Sequence, residues 1–410
     1  MPLANGFDHS YYLGDQGRFF NPRVHYEDDR KLPSVEPDSG YYATMAIASH
    51  AIEHLRGHDQ RHREQPFFCY LAFTAPHFPL HALPEDIQRY HTTYDAGWEK
   101  MRAERWRRIQ QLGLVSGTLS AVEPDVGPPY DFPEALKRLG PGETNRPLPW
   151  NDLTSQQRSF QAAKMALHAA MIDRIDREIG RVLEQLRTMG AMENTLILFL
   201  SDNGASAEIM VRADGHDPEA TPGSAATHLC LGPGWSTCSN TPFRRHKTWV
   251  HEGGIATPLI MHWPRGIAAR GQLRHSPAHV IDVVPTILEL AGSASDPAPE
   301  AGSQTETELE IAPPPPPGKS LVDLLAEDRT IAREDLWWLH EGNRALRIGD
   351  WKLVSAAAEG DWELYNLAQD RTETTNLAER FPERTRRMAE VWEARRGAFL
   401  RDATRDLAPQ

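Results

Sequence analysis

The stretch Thr195-Leu-Ile-Leu-Phe-Leu-Ser-Asp-Asn-Gly204 decides the fold. A short apolar run closed by turn residues predicts a strand buried on both faces. The long helical pattern before it predicts a helix-then-strand unit of a parallel sheet. Ligands of open α/β sheets bind beyond the carboxyl ends of the strands, where Asp202 and Asn203 stand. A carboxylate beside an amide carbonyl suits a hard cation with oxygen ligands, calcium or magnesium. Asp-Asn-Gly is also ordinary turn chemistry, and this stretch alone leaves both readings open.

Two other stretches bear on the choice. Phe67-Phe-Cys-Tyr-Leu-Ala-Phe73 predicts a second buried strand and runs into Thr74-Ala-Pro-His-Phe-Pro-Leu80. His77 thus falls at a strand's carboxyl end between two prolines that stiffen its backbone. A lone His beside Pro is commonly a plain loop residue; held rigidly at the ligand-binding edge it is a hydrogen-bond donor to an anion. Downstream, Arg244, Arg245, His246, Lys247 and His251 crowd one short span that ends in Glu252-Gly253-Gly254 and enters the apolar run 260–263. A basic run is usually a wet face. A lysine in this position also reaches back to a bound anion as a point charge.

The remaining chain supplies a scaffold. Residues 1–40 show no strong period, and 41–56 read as a helix. Pro84 signals a helix start, and a charged, solvated helix follows over 98–112. Residues 116–150, rich in Pro and Gly, read as a surface loop or lid. The firmest helix is 154–189, with Thr154 and Gln157 as a capping box and Gly190 as its stop. Asp173, Arg174, Asp176 and Arg177 on it read as a solvated face. Residues 205–240 read as a polar, Gly-rich loop, in which Asp214, His216 and Asp217 are read as solvated rather than as a second metal site. Residues 279–291 read as a core helix broken by Pro285. The Pro-rich segment 292–319 reads as a linker. From Asp335 onward, 336–340, 345–354 with a Gly349-Asp350 turn, and 362–367 alternate like antiparallel strands, and 381–400 read as a terminal helix. The expected division is a catalytic domain over 1–330 and a smaller α+β unit over 331–410.

The chain has 410 residues, 44 basic and 57 acidic, for a net charge of −13. That balance argues against a general nucleic-acid binder, although a local cationic pocket still accepts an anion. No apolar run approaches transmembrane length, and the opening MPLANGFDHS has no basic-then-apolar leader pattern. Cys69 lies in an apolar run and reads as a buried small hydrophobe. Cys230 and Cys238 read as separate free thiols, with no zinc-like spacing.

Taken together, Gly6-Phe-Asp-His, Thr74-Ala-Pro-His-Phe-Pro, Leu200-Ser-Asp-Asn-Gly, Lys247-Thr-Trp-Val-His-Glu-Gly-Gly, Trp362-Glu-Leu-Tyr-Asn-Leu and Glu373-Thr-Thr-Asn-Leu resemble the type I sulfatases. These form the arylsulfatase-like branch of the alkaline phosphatase superfamily, and the motifs occur in the family's order. The resemblance implies an α/β fold: an alkaline-phosphatase-like mixed sheet flanked by helices, with a smaller C-terminal α+β subdomain. It implies that Asp202 and Asn203 bind calcium (Ca2+, with Mg2+ second) and that His77 and Lys247 contact sulfate. The implied substrate is a small sulfate ester or a sulfated glycan, and an exported enzyme fits the family. Met45 stands where an acidic residue is expected in the family's helix.

One part of the family pattern does not match. The resemblance implies an aspartate pair, then C-x-P-x-R or S-x-P-x-R whose first residue becomes the formylglycine nucleophile, then a Gly-Lys-Trp-His segment. Cys69-Tyr-Leu, Cys230-Leu-Gly and Cys238-Ser-Asn do not carry the motif. The expectation is an N-terminally truncated sulfatase that does not turn over as written, with sheet edges left unpaired. The alternatives are a non-catalytic calcium- or anion-binding relative and a phosphoesterase of the same superfamily.

Overall fold

The computed structural model describes residues 2–212, 215–293 and 317–405. Asp214 and most of the Pro-rich segment 292–319 lie outside the described residues. The described helices are α1 (Ala43–Arg61), α2 (Pro84–Ile87), α3 (Trp98–Gln111), α4 (Pro133–Leu139), α5 (Ser155–Thr188), α6 (Gly232–Ser239), α7 (Glu252–Ile255), α8 (Val283–Leu290), α9 (Val322–Ala326) and α10 (Pro382–Arg405). Three antiparallel sheets accompany them. They are β1 (Tyr11–Leu13), β2 (His25–Glu27) and β3 (Arg30–Lys31); β4 (Ile197–Leu200) with β5 (Leu259–His262); and β6 (Leu336–His340), β7 (Asn343–Ile348), β8 (Trp351–Ser355) and β9 (Glu363–Asn366) in sequential order.

Helix α5 is the spine. Its start is fixed by the expected capping box: Gln157 N–H donates to Thr154 Oγ1 at 3.2 Å, and Thr154 N–H donates to Gln157 Oε1 at 2.9 Å. Leu167, Ala170, Met171 and Ile175 pack with Phe19, Tyr42, Leu80, Ile209 and Leu229. One turn after another, the same stripe continues through Val182 and Leu186 onto Ala48 and Leu55 of α1. A second cluster stacks Trp98, Trp150 and Trp235 edge to face, with centroids 4.8–5.7 Å apart; such pairs gain beyond the area they bury.

The C-terminal sheet has both faces covered, and period-2 alternation assigns them. Leu346, Leu353 and Leu364 meet Met388 and Trp392 of α10. Ala345, Val354 and Tyr365, on the other face, meet Val250. The segment carrying Lys247 is thus packed directly on a rigid sheet.

Several expectations fail, for reasons of context. β4 pairs antiparallel with β5, Leu200 opposite Leu259, rather than in a parallel sheet. It is not buried on both faces either, since Phe199 is 48% and Ile260 57% exposed. Residues 67–73 are extended but join no ladder among the described residues. Phe67, Leu71 and Phe73 pack inward on α1 and α5, while Phe68 (59%) and Tyr70 (74%) face out. Cys69, between them, is also exposed, whereas Cys230 and Cys238 are buried free thiols. Asp173, Arg174 and Arg177 are not merely solvated. Arg174 Nε and Arg177 Nη1 hold the buried carboxylate of Asp86 at 2.7 and 2.9 Å, and Arg89 meets Asp173 at 2.6 Å, tying α2 to α5. Residues 205–240 are a wet loop only in part: 217–222 are largely exposed, but Ala207, Glu208, Ile209 and 227–238 are buried, and 232–239 form α6. Within 116–150, α4 interrupts the loop, and Glu143 forms a buried pair with Lys164 at 2.6 Å. Helix α8 keeps Val284 and Leu288 exposed, so 279–291 is not a core helix.

Two predictions follow from this scaffold. Thr154→Ala removes one side of the capping box and costs about 1 kcal/mol, read as a lower urea midpoint at unchanged slope. The buried histidines set an acid limit. Burial pushes His81, His168 and His228 down to about 4 and His246 to about 3, from an ordinary 6.5. A base whose folded value is depressed binds fewer protons folded than unfolded, so stability rises with pH in that window. Their contribution is complete above 6.5 and is lost as pH falls toward 4 and then 3. Urea midpoints measured from about pH 7 to about pH 4 should fall steadily; a flat profile would contradict the assignment.

Candidate anion site

The span 241–254 folds as a knot around Lys247. Lys247 N–H donates to Ala205 O at 3.0 Å, and Gly204 N–H donates to Gly254 O at 2.9 Å. Asn240 joins the two segments from the side: its Oδ1 accepts Ala205 N–H at 2.7 Å, and its Nδ2 donates to Ala205 O and Arg245 O at 3.1 Å. The approach is so close that a Cβ on Gly204 would lie 1.9 Å from Gly253 O. Only glycine fits there. Arg245 and Thr248, which bracket Lys247, both adopt left-handed φ angles of 65° and 87°. Such non-glycine residues carry strain that the surrounding contacts must hold.

The five basic side chains of this span have different roles. Arg244 is anchored by Glu123 and Glu363 at 3.0 Å and by the Tyr365 hydroxyl at 2.8 Å. Arg245 shares Glu123 at 3.0 Å. His246 is buried against Ser236 Oγ at 2.8 Å, and His251 is fully buried, 3.5 Å from Glu363. Lys247 alone among them reaches His77, with Nζ 3.4 Å from Nε2 across 170 residues of sequence.

The imidazole of His77 is fixed by one hydrogen bond. Nδ1 lies 2.8 Å from Phe78 O. A carbonyl oxygen only accepts, so Nδ1 carries the proton. In the neutral ring Nε2 is then an acceptor, and the Lys247 ammonium donates to it. Burial and the Lys247 charge hold His77 below its ordinary value, opposed by the bond to Phe78 O. Two further residues frame the pair. The Arg212 guanidinium lies 5.4 Å from the Phe78 ring centroid, and Lys247 Nζ lies 6.0 Å from the same centroid. Glu208, steadied by Ser206 Oγ at 2.6 Å, meets Lys247 at 3.3 Å. Arg212 and Glu208 had no sequence signal, because both sit in a segment without motif or periodicity.

Asp202 and Asn203 occupy the carboxyl end of β4, two residues before the Ala205–Lys247 hydrogen bond. Asp202 Oδ1 accepts Asn203 N–H at 3.0 Å, and Asn203 Nδ2 donates to Gly204 O at 3.0 Å. That is local turn chemistry, in which Asn203 Oδ1 and Asp202 Oδ2 take no part. Calcium takes six to eight oxygens. Among the described residues, no group of three or more His, Cys, Asp or Glu side chains could hold a metal. Asp202 and Asn203 would supply two of those oxygens. His216, once weighed with its neighbours as a metal ligand, accepts His228 N–H at 3.1 Å through Nδ1.

The Sulfatase family model matches residues 4–293. The chain is 30% identical over 368 residues to a protein described as an uncharacterized sulfatase of Schizosaccharomyces pombe, covering 86% of this chain and 61% of that protein. It is 31% identical over 316 residues to an arylsulfatase of Klebsiella aerogenes, covering 71% of this chain and 61% of the relative. The chain therefore spans about three fifths of the length of these relatives. Among solved structures, Ps i-CgsB in complex with k-i-k-neocarrahexaose aligns over 96% of this chain and 67% of its own, with TM-score 0.57 and 19% identity. A protein bound to its substrate D-glucosamine-2-N,6-O-disulfate aligns over 96% and 76%, with TM-score 0.56 and 18% identity. These likenesses establish the alkaline-phosphatase-like α/β architecture, with its C-terminal antiparallel sheet and helix. The chain belongs to the sulfatase family.

Proposed function

We propose that the chain binds the sulfate group of a sulfate ester between His77 and Lys247, as the sulfate-holding part of a sulfuric ester hydrolase. The observation that carries this reading is the 3.4 Å approach of Lys247 Nζ to His77 Nε2. An ammonium has three protons; with one directed at the imidazole and one at Glu208, the third remains for an anion. Arg212 adds positive charge on the same side. Cations placed where negative charge builds on equatorial oxygens are the usual electrostatic means of stabilising such a transition state. The alcohol of the ester is a small molecule or a sulfated sugar, in keeping with the ligands of the fold relatives.

Hydrolysis needs a nucleophile, and the C/S-x-P-x-R pattern does not occur in these 410 residues. Loss of a nucleophile in covalent enzymes costs on the order of 10⁶ in turnover. The proposal for this chain is therefore binding without turnover. Asp202 and Asn203 offer a divalent cation two oxygens. Calcium bound by them alone is expected near 10⁻³ M or weaker, on the order of the weakest known protein sites.

These statements are open to titration. Calorimetry with inorganic sulfate should give a Kd that weakens about tenfold or more in Lys247→Ala, the loss typical of one charge-assisted hydrogen bond. His77→Ala should weaken it less. A bound anion raises the His77 value from its depressed position, so binding takes up a proton; affinity should rise as pH falls from about 7 to about 5, and His77→Ala should abolish that slope. Unchanged sulfate affinity in Lys247→Ala would end the proposal. In a calcium titration, submicromolar binding that survives Asp202→Ala would show that the cation sits elsewhere.

A further inference from the structure

We propose that Tyr130 and Glu341 form the alcohol-side wall of the sulfate site and select a hydroxyl-rich ester, a monosaccharide sulfate, over an aryl sulfate. This rests on the reading of His77 and Lys247 as sulfate contacts.

Glu341 lies in the turn between β6 and β7, in a left-handed conformation (φ 49°) and followed by Gly342 at φ 81°. Asn343 pins this hairpin to the knot, with Nδ2 donating to Thr248 O at 3.1 Å. Thr248 is the neighbour of Lys247, so the turn is fixed beside the candidate anion site. Tyr130 arrives from the loop 116–150, 211 residues away in sequence. Its hydroxyl donates to Glu341 Oε1 at 2.9 Å. The second carboxylate oxygen of Glu341 has no hydrogen bond among the described residues. Phe132 lies 6.1 Å from the Tyr130 ring and is partly exposed. Tyr130, Phe132 and the exposed Glu341 thus gather at a turn that is held to the residue following Lys247.

That pairing selects by chemistry. Small-molecule sites combine aromatic lining with a few convergent polar groups. A carboxylate accepts hydrogen bonds and donates none, so it favours an alcohol that brings hydroxyls. An aryl group covers the same rings but desolvates Glu341 without giving it a donor, which is costly. A carboxylate at the mouth is also unfavourable to a second anionic group there. The alternative role, a pin between loop and hairpin, makes a different prediction: ligand preference would not depend on Glu341.

The test is calorimetry on the full chain with inorganic sulfate, galactose 6-sulfate and phenyl sulfate. The sugar ester should bind at least about tenfold more tightly than phenyl sulfate, the worth of one hydrogen bond to a charged group. Glu341→Gln should bring that ratio toward one, and Tyr130→Phe should lower it partway. Thermal midpoints run alongside show whether either variant has lost its fold. A ratio near one in the parent protein overturns the inference, as does a ratio that neither substitution moves. If the ratio fails while inorganic sulfate still depends on Lys247, the selectivity idea falls and the sulfate site stands. If Lys247→Ala leaves inorganic sulfate binding untouched, both fall.

Discussion

Lys352 is fully buried between two carboxylates, and the position of the candidate site depends on them. Its ammonium lies 2.7 Å from Glu252 Oε1 and 2.8 Å from Glu373 Oε1. Arg371 pairs with the second oxygen of Glu252, and Glu373 Oε2 accepts Glu252 N–H at 2.8 Å. Two positive and two negative groups thus neutralise each other, three of them buried and Arg371 half-buried at the edge. Such a cluster adds little net stability, but removing one member leaves an uncompensated buried charge, at about 3–5 kcal/mol. Its geometric effect is larger. Lys352 belongs to β8, Glu373 follows β9, and Glu252 ends the knot that carries Lys247. Burial pulls the Lys352 value down while Glu373 pushes it up, so the charge persists only with its partners in place. Arg244, with Glu123, Glu363 and Tyr365, fastens the start of the same knot to the same sheet. Lys247 lies between these two anchors.

This arrangement explains how strained backbone survives around Lys247. Arg245 and Thr248 in left-handed conformations cost of order 1–3 kcal/mol each. The closure also requires glycine at Gly204, Gly253 and Gly254, where a Cβ would meet backbone oxygen at 1.9–2.1 Å. Anchors on both sides, and the apolar contact of Val250 with Ala345 and Val354, over-determine the loop. Fixing a lysine in this way matters because its side chain otherwise has much rotamer freedom to lose on binding.

What was legible in the sequence follows from how local each signal is. The capping box at Thr154 and the four strands of the C-terminal sheet were readable because the residues that specify them are neighbours in the chain. The motif order led to His77 and Lys247, which meet. The apolar run at 67–73 joins no ladder among the described residues, and the strand expected at 196–200 forms but pairs antiparallel with one face exposed, since an apolar run reports affinity for a partner surface and not which partner is there. Phe68, Tyr70, Phe199 and Ile260 face outward in consequence. The loop 205–240 was misread in part, for the opposite reason. Several of its small and polar residues are buried because the Trp98–Trp150–Trp235 cluster and α5 close over them, a contact made across more than 60 residues of sequence. Arg212, Glu208, Tyr130 and Glu341 were missed on the same ground.

An acidic protein with an anion site needs its positive charge placed rather than accumulated. The chain carries 13 more acidic than basic residues, and several of its arginines are committed to carboxylates: Arg174 and Arg177 to Asp86, Arg244 and Arg245 to Glu123, Arg333 to Asp282, Arg395 to Asp335. Pairing cancels their fields beyond a few ångströms. Lys247 differs. Its partner Glu208 is a single carboxylate at 3.3 Å, and its other neighbour is a neutral imidazole. With Arg212 5.4 Å from the Phe78 ring centroid, Lys247 and Arg212 offset the carboxylates of Glu208 and Glu341 there, although the whole molecule is strongly acidic. A field of that kind is short-ranged at physiological ionic strength, with a screening length of about 8 Å. It therefore favours an anion already seated at the site over long-range attraction. Discrimination among esters must then come from contacts with the alcohol, at the wall that the β6–β7 turn brings beside Thr248.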